Sequence, residues 1–375
     1  MKVKYLLIAV FLIVLSCKKE KPQLNTNPTI PQNGSQSITI IQDEFEDTPI
    51  VVAGSGGKNF IVSFKRTLED GTLLDFFSTD DPLPVIMKDN EGNSWDIFGN
   101  ATSGDRKGER LSSTRSMMGY WFIFNAMYPG VDIYGEGPVI VYQPPTTAAE
   151  GWSIATTNVV HSLGFDAIPA IDNPSFVGQE ATVNSPDFSY LKDEGLVVGF
   201  VEGDVVRAYP HAILNWNEIV NDDIDNLNFS VIFCPLTGTS QVWNREINNT
   251  ITTFGVSGKL YNSNVMPYDR LTNSIWTQLD AKSVFGDLVG KNAERFPFVE
   301  TTWSTWKEIY PSSNVLKAPQ EYSWNYAENP YGNYLENSEL ILFPVEIVDN
   351  RMSAKERVHA IIINRQAKVY RFEDF

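Results

Sequence analysis

Short apolar stretches alternate with turn residues along most of this chain. The stretches are rich in Val, Ile, Phe and Tyr and are separated by Gly, Asn, Asp and Pro. Short runs of this composition between turn residues predict β-strands. On this basis strands are predicted at 48–54, 59–66, 84–89, 138–143, 195–201, 204–209, 229–234, 240–245, 250–257, 357–364 and 367–372.

Helical patterns are fewer and shorter. One is predicted at 210–220, where Pro210 suits a first helical turn, and two others precede Pro129 and Pro311. The pattern therefore predicts an α+β fold, rich in antiparallel or mixed β-sheet and with short helices.

A set of landmarks occurs twice at nearly one offset, which indicates an internal duplication into two similar lobes. The step from the second glycine to the following tryptophan is thirteen residues in both copies, and the step from that tryptophan to a proline is eight in both. The matched pairs are Met87 and Met266, Asp89 and Asp269, Asn93 and Asn273, Trp95 and Trp276, Gly104 and Gly286, Gly108 and Gly290, Trp121 and Trp303, and Pro129 and Pro311.

The repeat and the composition divide the chain into segments. A further similarity, between 197–210 and 358–372, predicts a β-hairpin at each place, and we expect the terminal hairpin to pair with the second lobe. The predicted segments are a signal sequence (1–17), a tether (18–38), an N-terminal lobe (39–145), a connector (146–190) and a C-terminal lobe with the terminal hairpin (191–375).

The N-terminus has the pattern of an export signal. Two lysines precede an apolar run from Tyr5 to Leu15, and Ser16 and Cys17 follow. This run is short for a membrane span, and Val-Leu-Ser-Cys resembles a bacterial lipobox. We therefore expect lipidation of Cys17 and a place in the bacterial cell envelope, facing the periplasm or the outer surface, with the membrane as a partner through the lipid anchor.

The charge balance excludes one class of partner. The chain is acidic, with a formal net charge of −17. Nucleic acid and anionic membrane surfaces both reward clusters of Lys and Arg, so neither is expected to bind the folded part. No phosphate loop, zinc-binding helix motif, serine nucleophile elbow or dinucleotide fingerprint occurs in the sequence. A small-molecule or protein partner is left open.

Cys234 is the candidate for chemistry. The chain has two cysteines, and lipidation of Cys17 would leave Cys234 without a disulfide partner. When the two copies are aligned, Cys234 falls opposite Ser55 or its neighbours. Features that occur in both copies are more readily explained as fold determinants, as for the paired Asp89 and Asp269, whereas a residue that only one copy carries is a better candidate for function.

Three interpretations of Cys234 stay open. The thiolate could be a nucleophile or form a mixed disulfide, with His211 as base, Glu218 or Asp222 orienting that histidine, and Thr237 stabilising the thiolate. Alternatively, Cys234 could bind copper(I) or another soft metal together with Met266 and His211. In the third interpretation it is a buried core residue of a structural or ligand-binding module. For the first two we expect an accessible thiol with a lowered pKa.

Several long motifs occur in order within residues 165–375. They are DAIPAIDNPSF (166–176), GDVVRAYPHAILNWNEIVND (203–222), VIFCPLTGTSQVWNR (231–245), FGVSGKLYNSNVMPYDRLTNSIW (254–276) and NPYGNY (329–334). Together these motifs resemble one family, catalogued as domain of unknown function 3179. The resemblance implies no established reaction. In this family the position of Thr237 varies between Cys and Thr, and a histidine is frequent at the position of Asn217.

Overall fold

The structure is a computed structural model that describes residues 36–141, 147–183, 185–346 and 348–375. The signal sequence with Cys17 and residues 18–35 of the tether lie outside the described residues. Within the described part, three short α-helices accompany many strands, which confirms the α+β, β-rich expectation. The helices are α1 (Trp121–Met127), α2 (His211–Asn217) and α3 (Trp303–Ile309), and 3₁₀ helices cover Thr156–Asn158, Gln179–Thr182, Pro186–Phe188 and Phe372–Asp374.

The first lobe is built from the first nine strands and the last two. These are β1 (Thr39–Phe45), β2 (Thr48–Ser55), β3 (Phe60–Lys65), β4 (Phe76–Phe77), β5 (Val85–Asp89), β6 (Ser94–Asp96), β7 (Ala101–Ser103), β8 (Ser116–Tyr120), β9 (Asp132–Ile133), β25 (Arg357–Ile363) and β26 (Gln366–Arg371). They form three sheets with the orders β1-β2-β3, β4-β5-β6-β7 and β8-β25-β26-β9.

The second lobe contains the remaining strands. These are β10 (Val159–His161), β11 (Phe176–Gly178), β12 (Leu196–Glu202), β13 (Val205–Pro210), β14 (Ile219–Ile224), β15 (Leu227–Cys234), β16 (Thr239–Asn244), β17 (Glu246–Ile247), β18 (Thr250–Ile251), β19 (Phe254–Tyr261), β20 (Asn264–Asp269), β21 (Ile275–Thr277), β22 (Lys282–Phe285), β23 (Val299–Thr302) and β24 (Asn314–Leu316). Its three main sheets have the orders β14-β15-β16, β10-β19-β20-β21-β22 and β11-β24-β13-β12-β23, and β17 and β18 form a separate ribbon.

The two lobes match sheet by sheet, which confirms the duplication. Each has one three-stranded sheet and two larger ones, and β10 and β11 extend the larger sheets of the second lobe by one strand each. Strands β2 and β15 are both eight residues long and end at Ser55 and Cys234. The same turn length then separates each from its partner, because Ser55 pairs with Phe60 and Cys234 with Thr239. Ser55 is therefore the counterpart of Cys234.

The terminal hairpin corrects one prediction. We expected it to pair with the second lobe, but β25 pairs with β8 and β26 pairs with β9, both in the first lobe. The reason is that the corresponding place in the second lobe, between β23 and β24, is already filled by the hairpin β12-β13. The end of the chain thus completes the first lobe.

One predicted strand is wrong. Residues 138–141 of the segment 138–143 have no regular structure, and the side chain of Ile140 is fully exposed. Residues 142 and 143 lie outside the described residues.

The repeated aspartates and tryptophans are structural, as the duplication predicts. Asp89 Oδ2 accepts a hydrogen bond of 2.9 Å from Trp95 Nε1, and Asp269 Oδ2 accepts one of 3.0 Å from Trp276 Nε1. The other carboxylate oxygen of each aspartate accepts backbone N–H groups of the following turn. Both indole rings are fully buried. Each aspartate therefore fixes a turn and anchors a core tryptophan, which satisfies buried polar groups on both sides.

The lobes share an apolar core, and a turn of each lobe contacts the start of a helix in the other. The largest apolar cluster holds Trp95 from the first lobe and Phe229 and Trp306 from the second. In addition, the β2–β3 turn of the first lobe reaches the start of α3, since Lys58 O accepts a hydrogen bond of 2.8 Å from Thr301 Oγ1. The β15–β16 turn of the second lobe reaches the start of α1. Cys234 therefore begins a turn that lies where the two lobes meet.

Candidate functional site

The main chain places Cys234 at the end of β15, before a tight turn. Thr237 N and Gly238 N both donate to Cys234 O, at 3.2 and 2.8 Å. Gly238 has a φ of +62°, and a Cβ there would lie 3.0 Å from the ring of Tyr120. Glycine is therefore needed both for the left-handed conformation and for the close approach of the first lobe. Tyr120 N in turn donates to Thr237 O at 2.8 Å.

The Cys234 thiol is buried, so the expectation of an accessible thiol with a lowered pKa is wrong. The residue is 1% exposed. Burial, and next to it the negative charge of Glu218, raise the pKa of Cys234 to about 11. Low dielectric surroundings disfavour the thiolate. Val265 N donates to Sγ at 3.3 Å, and this contact and the Thr237 hydroxyl offset only part of that rise.

Glu218 is the second group of the site and has two unusual features. It follows α2 with a φ of +59° and a ψ of −36°, a conformation rare for a residue with a side chain. Glu218 is 6% exposed, and burial raises the pKa of its carboxyl group to about 7. Strained backbone and shifted titration of this kind concentrate at functional sites.

Two tyrosines complete the surroundings of the thiol, and sequence reasoning did not single them out. Tyr331 Oη donates to Glu218 Oε1 at 3.0 Å, and Tyr334 Oη donates to Leu236 O at 2.7 Å. Both belong to NPYGNY (329–334), a motif of the family resemblance. The family resemblance of this motif could have marked the two tyrosines as candidate site residues, but nothing in the sequence indicated that they lie beside Cys234.

Thr237 belongs to a buried polar network next to the thiol. Its Oγ1 lies 2.9 Å from Thr239 Oγ1, and Asn264 Nδ2 donates to both hydroxyls at 3.0 and 3.1 Å. Gln278 closes the network, since its Oε1 accepts from Asn264 at 2.7 Å and its Nε2 donates to Ile232 O at 2.9 Å. These bonds satisfy the polar groups and fix the shape of the Cys234 turn.

His211 lies on the other side of the β14-β15-β16 sheet from Cys234. Its ring packs on Phe233, with 4.3 Å between the centroids. Phe233 and Cys234 are neighbours on β15, so their side chains point to opposite faces, and they belong to different core clusters. The structure therefore brings Cys234, Glu218 and Thr237 together but does not bring His211 to the thiol. Asp222 is also engaged elsewhere, with Arg207 and Tyr209.

His211 pairs instead with Glu300. His211 Nε2 lies 3.4 Å from Glu300 Oε2, while Arg357 Nη2 donates to Oε1 at 2.7 Å and Ser240 Oγ to Oε2 at 2.5 Å. Burial would raise the pKa of Glu300, but the charges of His211 and Arg357 and these hydrogen bonds lower it to about 2. Glu300 is therefore a buried carboxylate that is compensated at neutral pH.

The residues named for a copper site are not assembled. Val265 packs in the same cluster as Cys234, whereas the next residue, Met266, points to the other face of β20 and packs with Tyr268 and Ile275. In the described parts of the chain, no group of three or more His, Cys, Asp or Glu side chains could hold a metal ion. Met266 is a core residue like its twin Met87, and both are fully buried.

The fold and this site define a two-lobed β-rich protein with a buried thiol beside a carboxyl group. A family model described as "Protein of unknown function (DUF3179)" matches residues 22–131 and 165–375. The chain therefore belongs to this family. No curated protein and no solved structure matches the chain. None of the helices that the structure describes is long and apolar enough to cross a membrane.

Proposed function

We propose that this chain is a lipid-anchored protein of the bacterial cell envelope in which Cys234 is a nucleophile and Glu218 is its base. Lipidation of Cys17 is supported by the lysine-led apolar run and the Val-Leu-Ser-Cys motif at the N-terminus. The observation that carries the chemistry is the pairing of a thiol whose pKa is raised to about 11 with a buried carboxyl whose pKa is raised to about 7.

The two pKa values assign the roles. At neutral pH the thiol keeps its proton, while a large share of Glu218 is ionised and can accept one. A base with a pKa near the working pH is well matched to this task. Cys234 Sγ would form a bond to an electrophilic carbon or sulfur of the substrate as its proton moves to Glu218. The bond between that atom and its leaving group would break, and the leaving group would take the bonding electrons and then the proton from Glu218. Tyr331 is a positioning residue, because its hydroxyl donates to the carboxylate.

Access to the thiol requires movement of its cover. The segment 329–340 has no strand or α-helix, and Tyr334 holds it to the Cys234 turn through Leu236 O. Lys355 also ties this segment down, donating to Asn337 O at 2.9 Å and to Tyr334 O. Irregular surface segments held by few contacts are the parts of a protein that open most readily. The proposal therefore includes opening of 329–340 by substrate.

The test is the rate of iodoacetamide alkylation of Cys234 against pH, in the full-length chain with Cys17→Ser. We expect a component of the rate that rises with a midpoint near 7, as Glu218 ionises, and we expect Glu218→Gln to remove it. Tyr331→Phe is the matched variant: it removes a hydrogen bond that lowers the pKa of Glu218, so the midpoint should move upward. A single rise at the midpoint of an ordinary thiol, about 8.5, the same in wild type and Glu218→Gln, would refute the role of Glu218.

A second candidate is a non-catalytic module in which Cys234 is part of the core. It is favoured by the matching position in the first lobe, where Ser55 is also fully buried and begins the same kind of turn. In that case alkylation should follow global unfolding, and Cys234→Ser should leave every binding property unchanged. Since Met266 and His211 lie away from the thiol, the copper alternative has no comparable support.

A further inference from the structure

A second site lies between the lobes, away from Cys234. It is a cavity of about 290 Å³, close to the lower end of the range of about 300–1,000 Å³ in which proteins bind small molecules. Its walls come from β3, from the segments that lead into β8 and β23, and from β25. Neither Cys234 nor Glu218 lines it.

The polar residues of this cavity are not repeated between the lobes. Trp121 and Trp303 are the first residues of the matching helices α1 and α3. Residues that precede these two tryptophans by the same number of positions therefore correspond, which aligns the segments that lead into β8 and β23. His359 and Val198 correspond because β25 and β12 pair with β8 and β23 in the same register. Each of these cavity residues has a different residue at the equivalent position of the other lobe. The cavity residues and their counterparts are Arg115 and Pro297, Arg295 and Ser113, Thr114 and Phe296, Glu300 and Met118, and His359 and Val198.

Three buried nitrogen atoms of residues that line this cavity have no hydrogen-bond partner within the described residues. They are Arg295 Nη1, Arg115 Nε and His359 Nδ1. Buried polar groups in folded proteins are nearly always paired, and a charged one without a partner is especially costly. His359 is 3% exposed, and its other ring nitrogen lies 2.9 Å from Ser63 Oγ.

The charges around the cavity leave one cation in excess. Arg115 Nη2 pairs with Asp280 at 2.8 Å, and Arg357 Nη2 pairs with Glu300 at 2.7 Å. Arg295 has no carboxylate within ion-pair distance in the described part of the chain. Burial and the charge of Arg115 lower the pKa of Arg295 to about 10, so it is still a cation at neutral pH. Burial also lowers the pKa of His359 to about 3, so its ring is neutral and can donate one N–H.

We propose that this cavity binds an organic acid, with its carboxylate on Arg295 and Arg115 Nε and its apolar body between the lobes. A guanidinium matches a carboxylate geometrically, and an inorganic anion would leave the rest of the cavity unfilled. The apolar residues that would face the body of the ligand include Phe64, Ile97, Phe98, Met117, Phe296 and Phe298.

The test compares carboxylates with their neutral amides, using the full-length chain with Cys17→Ser and isothermal titration calorimetry. The probes are benzoate, phenylpropionate and hexanoate, then benzamide, phenylpropionamide and hexanamide, and finally sulfate. We expect at least one carboxylate to bind and its amide to bind far more weakly. Arg295→Met should weaken the carboxylate by roughly ten- to hundredfold, the usual size of a lost charged hydrogen bond. Arg110→Met, at an exposed arginine outside the cavity, is the control and should change nothing.

Three other results of the calorimetry would each overturn the proposal of an organic-acid site. Equal binding of acid and amide would show an apolar cavity that does not recognise charge, and sulfate binding as well as the acids would show an anion site that ignores the apolar body. If no carboxylate binds, the cavity is not an organic-acid site. The comparison of acid with amide in the unsubstituted cavity decides the question even if Arg295→Met does not fold.

Discussion

Glu218 should make the protein less stable as the pH rises from acid to neutral. Below pH 4.5, the ordinary pKa of glutamate, the carboxyl is protonated in both the folded and the unfolded chain and contributes no difference. Between 4.5 and about 7 the unfolded chain loses its proton first, because burial raises the pKa in the folded state to about 7. The unfolded state is favoured progressively over this window, and above it the loss is complete.

The magnitude follows from the size of the shift. The difference between a pKa of 4.5 in the unfolded chain and about 7 in the folded chain corresponds to about 3 kcal/mol of unfolding free energy. Solvent screens this carboxyl group little, since Glu218 is 6% exposed. Glu218→Gln does not titrate, so the variant should gain about 3 kcal/mol relative to wild type between about pH 4 and about pH 8.

Urea unfolding followed by tryptophan fluorescence at a series of pH values measures this difference. The control is Glu202→Gln, which removes a carboxylate from the exposed end of β12. Its difference from wild type should stay flat over the same range. If the difference between Glu218→Gln and wild type is also constant from pH 4 to 8, Glu218 is not a buried carboxyl with a raised pKa, and its assignment as base falls.

Three further predictions concern the fold and the cavity. Deleting residues 357–375 removes the two central strands of the β8-β25-β26-β9 sheet, so hydrogen exchange should show loss of amide protection in β8; normal protection there would contradict the assignment of this hairpin to the first lobe. Asn264→Ala removes the buried hydrogen bonds that Asn264 Nδ2 donates to Thr237, Thr239 and Gln278 and should cost about 2–3 kcal/mol of unfolding free energy. A loss below about 0.5 kcal/mol would mean that these bonds add little. Arg295→Met replaces a partly buried cation whose Nη1 has no hydrogen-bond partner within the described residues, and should raise the unfolding free energy by about 1 kcal/mol in ligand-free protein. A clear loss of stability would show that Arg295 has a structural partner.

The repeated parts of the fold were predictable from the sequence. The duplication was visible in the pairs Asp89 and Asp269, and Trp95 and Trp276. The same local hydrogen bonds require the same residue types at nearly the same spacing in both lobes. The place of the terminal hairpin was not predictable in this way. Its similarity to 197–210 was visible, but that similarity means that both hairpins fill equivalent sites, one in each lobe, and strand pairing between distant segments leaves no local signal.

The site was predictable only in part. Cys234 stood out because only one copy carries it, and Thr237 follows it in the same turn. The β14-β15 hairpin brings Glu218 beside the end of β15, where Phe233 N donates to Glu218 O. The pairing with His211 failed because the His211 ring packs on Phe233, and the side chains of Phe233 and Cys234 point to opposite faces of β15. Burial of the thiol depends on Tyr331 and Tyr334, which follow Cys234 by about a hundred residues.

Measuring the protonation state of the Glu218 carboxyl group against pH tests most directly whether Glu218 can act as the base for Cys234. Infrared difference spectra of the full-length Cys17→Ser chain, recorded against pH and compared with the same chain carrying Glu218→Gln, isolate the band of this one protonated carboxyl. We expect a band that disappears with a midpoint near 7 and is absent from the variant. A Glu218 band that is already gone by about pH 5, as for an ordinary glutamate, would contradict the assignment of Glu218 as the base for Cys234.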